Sequence, residues 1–213
     1  RTIFGDRHGV NPAVLTPEII EGIRDLPPVA KARFFARNDP VACIRSLGGE
    51  PWSTQQDIIN SIWANRKTLV KSCHASGKTW TAAETIVTWT LAHYPDVLTV
   101  VLAPTEDQIT AGLWRELQLL WPRWAHLLPG KLGVKQWRVS DSETDAEGYG
   151  GVLALGRSPR PERPGSLQGL HNQNLLLVID EAPEIDPRLW EAGRSLLTGA
   201  NTRLLAIGNP TRK

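Results

Sequence analysis

The chain has 213 residues, 41% hydrophobic and 22% charged, enough to bury a full core and suited to one α/β domain with an appendage. A net charge of only +2, from 24 basic and 22 acidic side chains, singles out no partner, so any nucleic-acid surface must be a local patch. The two cysteines, Cys43 and Cys73, suggest no disulfide framework and suit a reducing compartment, and no apolar run approaches the ~20 residues that span a bilayer.

No signal peptide opens the chain, and there is no methionine. The chain stops at Thr211-Arg212-Lys213, directly after a strand-like run. These features lead us to expect a fragment of a longer protein.

Residues 1–50 are punctuated by Asn11-Pro12, Thr16-Pro17, Pro27-Pro28, Asp39-Pro40 and Gly48-Gly49. Between them, Pro17 to Leu26 and Pro28 to Arg37 carry helical patterns, the first opened by Thr16 as N-cap with Pro17 behind it. This reads as a small helical lead-in. From Pro51 the order becomes strand–helix. Gln55 to Ala64 is expected as a helix, Lys67 to Lys71 as a strand, and Gly77 to His93 as a helix with Trp80, Ala83, Ile86, Val87, Thr90 and Leu91 at core spacing.

Asp96 to Ala103 is a continuous apolar run of strand length, as a parallel strand buried on both faces requires. A helix is expected from Pro104 through Leu120. Trp114, Leu117, Leu120, Trp121 and Trp124 give this region an aromatic face, for packing or for stacking on nucleic-acid bases. Lys135 to Ser140 and Gly151 to Leu155 read as strands flanking an acidic turn, Asp141 to Gly150. Gly156 to Gly165, dense in Arg and Pro, reads as a surface loop without regular structure. Leu175 to Ile179 is the next buried strand, Pro187 to Leu197 a helix, and Arg203 to Gly208 the last strand. Strands alternating with helices predict a mainly parallel sheet flanked by helices, with ligands at the strands' carboxyl ends.

The candidate chemical groups fall at those ends. Ser72-Cys73-His74-Ala75-Ser76-Gly77-Lys78-Thr79 reads as a phosphate-binding loop that opens a helix, although Ser72 stands where the consensus has its first glycine. Backbone N–H groups of the turn and the helix N-terminus make an anion site. Gly77 keeps bulk away from the phosphates, Lys78 reaches the β/γ-phosphates, and the Thr79 hydroxyl can ligate Mg²⁺. The apolar run ending in Asp180-Glu181 is a Walker B pattern: Asp180 would hold Mg²⁺ and Glu181 would polarise the attacking water as general base. The alternative is that Asp-Glu only caps the next helix. Asn209 ends the last strand, where it orients a water or senses the γ-phosphate, or is simply a turn residue. Upstream, Gln55 and Gln56 carry amides that suit the edge of adenine.

With these residues in place, the chain resembles the ATPase domain of viral terminase large subunits, the motors that pump DNA into procapsids. The resemblance covers roughly residues 51–212 and rests on five features in order. They are the Gln55/Gln56 segment, Ser72 to Thr79, Ala103-Pro104-Thr105 with Gln108, Val178-Ile179-Asp180-Glu181-Ala182, and Ile207-Gly208-Asn209-Pro210-Thr211. It implies a P-loop fold of the RecA-like ASCE type over residues 51–213, and ATP with Mg²⁺ as cofactors. It places Gln55 at the spacing of the family's adenine contact. It further implies double-stranded DNA, a portal protein and a small terminase subunit as partners, and a homo-oligomeric ring at the procapsid portal in the host cytoplasm. The isolated domain would be monomeric. A nuclease domain would lie downstream, so this stretch should not cut DNA.

Two positions depart from the family pattern. His74 stands where many members carry arginine. Gln168 stands where members tend to carry the arginine proposed to act on a neighbour's ATP, which leaves Arg157, Arg160 or Arg163 as candidate fingers. Phosphate contacts to DNA could come from Arg115, Arg123, Lys131 or Lys135. Two other readings share the same motifs: a superfamily-2-like helicase or remodeller, and a nucleotide-gated assembly module with little turnover.

Overall fold

The computed structural model describes residues 2–7, 17–73, 75–139, 151–159, 162, 167 and 169–209. Its strands are β1 (Thr2–Arg7), β2 (Asn65–Lys71), β3 (Leu98–Leu102), β4 (Lys131–Leu132), β5 (Gln136–Arg138), β6 (Val152–Arg157), β7 (Leu175–Ile179) and β8 (Arg203–Gly208). Its helices are α1 (Pro17–Arg24), α2 (Pro28–Asn38), α3 (Pro40–Ser46), α4 (Ser53–Ala64), α5 (Lys78–His93), α6 (Arg115–Trp124) and α7 (Pro187–Ser195). One sheet holds all eight strands in the order β1-β2-β8-β7-β3-β6-β5-β4. The central neighbours from β2 to β6 pair in parallel, while β1, β5 and β4 add antiparallel edges.

Every residue of β3 and β7 is buried, because the sheet is covered on both faces. Alternation along the strands divides the core. Leu176, Val178, Leu205 and Ile207 join the layer built by α2 to α6, and Leu175, Leu177, Ile179, Leu204 and Ala206 join the layer under α7. Helix α5 is enclosed on all sides, with Thr81 through Ala92 all buried. Thr81, Thr85 and Thr90 are satisfied by donating back one turn, as Thr81 Oγ1 does to Gly77 O at 2.8 Å and Thr85 Oγ1 to Thr81 O at 2.8 Å, while the buried Thr88 Oγ1 has no partner among the described residues.

The reading of residues 1–50 as a small helical lead-in needs one addition. Thr2–Arg7 forms β1, which pairs antiparallel with β2 from Thr2↔Lys71 to Arg7↔Asn65. An edge strand takes its order from the neighbour it pairs with, a signal that local periodicity does not carry. Nor is the lead-in detached: Ala36, Cys43 and Ile44 are fully buried in the layer with α5, and Trp63 Nε1 donates to Ala36 O at 2.9 Å. Thr16 and the acidic turn 141–150 lie outside the described residues.

Two further expectations change. The helix after Pro104 is interrupted by a π-helical turn at Gln108–Trp114 before α6 continues to Trp124. Gly156 and Arg157, read as loop, instead finish β6. The aromatic face on α6 is packing: Trp114 and Trp124 are fully buried, and Trp121 meets Trp137 edge-on at 5.0 Å.

Candidate nucleotide site at the carboxyl edge of the sheet

β2 delivers Ser72 to the sheet edge, where its N–H donates to Gly208 O at 3.2 Å. The chain then turns through Ala75 (φ 56°) and Gly77 (φ 74°) into α5. Left-handed backbone favours glycine. Gly77 has a second reason, because a Cβ there would lie 2.5 Å from Gln55 Nε2. The loop is braced from inside by Ser76 Oγ on Cys73 O at 2.9 Å. Cys73 is exposed and Cys43 buried, both as free thiols; burial pushes the Cys43 thiol up to about 12. Thr79 sits half-buried in the first turn of α5. His74 lies outside the described residues.

Strand order does the rest. β8 lies between β2 and β7, so the residue after β8 stands between the loop and Asp180-Glu181. Lys78 Nζ donates to Asn209 Oδ1 at 2.9 Å, and Asn209 Nδ2 donates to Glu181 Oε1 at 3.4 Å. Lys78 also donates to Cys73 O at 2.6 Å. The three polar residues selected from separate motifs thus form one hydrogen-bonded chain.

Asp180 is buried at the end of β7, its N–H on Leu102 O at 2.8 Å. Desolvation, reinforced by the Glu181 charge, raises its carboxyl from 3.8 to about 6, against the pull of the Glu181 N–H and the Lys78 charge. Glu181 takes a left-handed φ of 46°, a conformation that a non-glycine residue holds only at some cost. The turn it begins, Ala182–Glu184, presses on β8. A Cβ on Gly208 would meet Pro183 Cδ at 2.3 Å. Sequence reading noted Gly208 in the Gly-Asn-Pro ending but assigned it no role; its role is to leave room for Pro183.

The two glutamines are engaged by their own chain. Gln55, 6% exposed, accepts from Trp52 N at 3.1 Å and donates to Gly77 O at 3.4 Å. Gln56 Nε2 donates to Pro51 O at 2.7 Å. Arg157 lies at the carboxyl end of β6 opposite Leu102, with a buried Nε that has no hydrogen-bond partner among the described residues. Arg160, Arg163 and Gln168 lie outside them. Of the DNA-contact candidates, Arg123 is committed to the buried Glu84 and Lys135 pairs with Glu106 at 2.6 Å, while Arg115 and Lys131 are exposed.

Among the described residues no cluster of three His, Cys, Asp or Glu side chains could cage a metal. The hard oxygens of Asp180 and Thr79 suit an ion that keeps most of its water. No helix of the described residues is long and apolar enough to cross a membrane.

The parallel sheet, the loop leading into α5 and the carboxylates two strands away are the architecture of a P-loop NTPase of the RecA-like kind. Its likeness is to phage large terminases. Over 178 residues the chain is 28% identical to a "Probable terminase, large subunit" of Enterobacteria phage P7, a match over 83% of this chain and 36% of that protein. The chain therefore spans about a third of the length of this curated relative. The solved ATPase domain of the Thermus phage P74-26 large terminase superimposes with a TM-score of 0.60 at 22% identity, covering 81% of this chain and 70% of its own. An arginine-to-alanine variant of that domain gives the same TM-score, with 80% of this chain covered. No family model matches the chain.

Proposed function

We propose that the chain is the ATP-hydrolysing motor domain of a phage large terminase, driving double-stranded DNA into a procapsid. The observation that carries this is the Lys78–Asn209–Glu181 chain of hydrogen bonds beneath the phosphate loop. The likeness to a phage P7 protein named as a probable terminase large subunit supports it.

In this reading the loop from Ser72 to Thr79 receives the triphosphate, with Gly77 and the N-terminus of α5 directing N–H groups at it. Thr79 and Asp180 would hold Mg²⁺, which neutralises phosphate charge when bound. Cation binding also suits Asp180, whose buried carboxyl gains a positive neighbour. Glu181 accepts the proton of the attacking water. Asn209 contacts both Lys78 and Glu181, so phosphate arriving at Lys78 is felt at the general base through one side chain. An arginine from a neighbouring subunit would complete the charge stabilisation, and Arg157 at the same sheet edge is our candidate among the described residues. Residues 51–213 form the ATPase unit, with the lead-in packed against α5. Its setting is a ring with DNA, portal and small subunit, at the procapsid in the host cytoplasm.

Phosphate release from ATP with Mg²⁺ tests the reading. Lys78→Ala and Glu181→Gln should each lower the rate by about 10²-fold or more. Hydrolysis unchanged in both variants would refute the assignment.

A further inference from the structure

The two faces of β2 differ. Thr68 and Val70 are buried, Thr68 against Ser61 of α4 and Val70 in the layer of α2 to α6. Lys67, Leu69 and Lys71 point to the other side, where all three are exposed. There Leu69 pairs in register with Ala206 of β8. Ala206 is 3% exposed under α7, whereas Leu69 is 43% exposed. The α7 layer thus stops between β8 and β2, leaving a strip of sheet with an apolar centre between two lysines about 13 Å apart. Neither lysine belongs to an ion pair among the described residues. A complement lies toward the far end of the same sheet, four strand positions away at β6. The connection from β5 to β6 carries Asp141, Glu143, Asp145 and Glu147, at every second residue. In extended backbone, alternate carboxylates of that run share one side, and those four residues apart also span about 13 Å. Its base, closed by Val139 N on Gly151 O at 2.8 Å, bears Val139 at 38% exposure.

We propose that a second copy of the chain docks on this strip, its acidic β5–β6 connection laid along Lys67, Leu69 and Lys71. The contact is heterologous, one end of a sheet against the other end of the next, and it repeats as a closed ring or an open filament. It goes beyond the nucleotide reading, which it does not use, and gives the proposed ring a contact surface. Charge and apolarity match across it: two lysines and Leu69 on one copy, carboxylates and Val139 on the other. The net charge is only +2, so the basic strip is offset by acidic groups of the same chain. A DNA backbone would instead set phosphates against Leu69. Nor does one molecule satisfy itself. Four strand spacings are about 19 Å, and the middle of the connection extends at most about 20 Å from its base. It leaves β6 at the amino edge of the sheet, while Lys71 stands at the carboxyl edge beside Ser72, out of range.

Sedimentation velocity of the chain over a concentration series, without nucleotide, tests this. At about 0.1 M salt the mean mass should rise with concentration. At about 1 M salt, where charges are screened beyond about 3 Å, it should return to that of the monomer. Lys67→Glu/Lys71→Glu and Asp145→Lys/Glu147→Lys should each weaken association by about tenfold or more. Mixing the two variants should restore it, because each reversed strip then meets a reversed connection, which a misfolded variant could not do. A monomer at every concentration in low salt, association unchanged by both reversals, or no recovery on mixing would overturn the proposal. So would a Lys67→Glu/Lys71→Glu variant that associates normally and loses binding to duplex DNA, since the strip would then serve phosphates. The hydrolysis assay above uses other variants, so a failure of association leaves the nucleotide reading standing.

Discussion

Asn209 presents one carboxamide between a cation and an anion, and its orientation follows from them: oxygen toward Lys78, nitrogen toward Glu181. No aliphatic residue makes both contacts, and Asp would set a third carboxylate beside Asp180 and Glu181. At the other end of α5, His93 is governed by burial. Its ring lies 4.0 Å from that of Trp89, and desolvation lowers it from 6.5 to about 4, aided by the Arg37 and Arg203 charges and opposed by its bond to Trp89 O. The unfolded chain therefore binds the proton more readily, so stability is full above pH 6.5 and is lost as pH falls toward 4, by at most about 3 kcal/mol. Asp180 works in the opposite sense, its raised carboxyl making stability fall as pH climbs from 3.8 to about 6. Comparing His93→Gln with the unmodified chain isolates the histidine. Urea denaturation at pH 7 and pH 5 should show a smaller acid loss in the variant, and equal losses would contradict the argument.

The π-helical turn at Gln108–Trp114 has an identifiable cause in packing. A Cβ on Gly156 would lie 2.4 Å from Ile109 Cγ2 and 3.4 Å from Trp114 Cε3, so two side chains five residues apart press on one point of β6. An α-helix would turn them roughly 140° from each other, whereas i→i+5 bonding brings them to one side. Gly156 provides the space. Gly156→Ala should therefore cost about 1–3 kcal/mol by overpacking, and removing the Cγ2 branch of the neighbour in Gly156→Ala/Ile109→Leu should recover part of it. Thermal melts of the two variants check this; a neutral single substitution would show that the contact yields freely.

Across the whole molecule, α5 and α6 are joined by the ion pair of Glu84 with Arg123, whose carboxylate is wholly buried. Desolvation raises the Glu84 carboxyl, and the arginine's charge and hydrogen bond hold it down. Removing Arg123 would leave that carboxylate buried without its ion-pair partner. Arg123→Ala should cost about 3 kcal/mol or more, seen as a melting temperature lower by roughly 6–12 °C. The double change Arg123→Met/Glu84→Leu should regain most of the loss, since it leaves no buried charge. A mild effect of the single variant would mean that water reaches Glu84.

Much of the central sheet was legible because its signals are local. Leu175–Ile179 is apolar without interruption and Leu98–Leu102 is apolar but for Thr99, as strands buried on both faces call for. Gly-Lys-Thr after a strand, and Asp180-Glu181 after another, carry their chemistry in adjacent residues. The N-terminal strand was not legible, since its partner β2 lies some sixty residues away and supplies its hydrogen bonds. Nor could sequence tell that Gln55 spends its amide on Trp52 and Gly77, or that Ile109 and Trp114 of the π-helical turn pack over Gly156. By itself, the sequence determined which residue types end each strand, because strand apolarity and turn chemistry act between neighbours. Only the tertiary structure decided that β8 lies between the strand leading into the Ser72–Thr79 loop and the strand ending at Asp180-Glu181. Strand order is set by which faces and edges pair at long range, and that order puts Asn209 in contact with both Lys78 and Glu181.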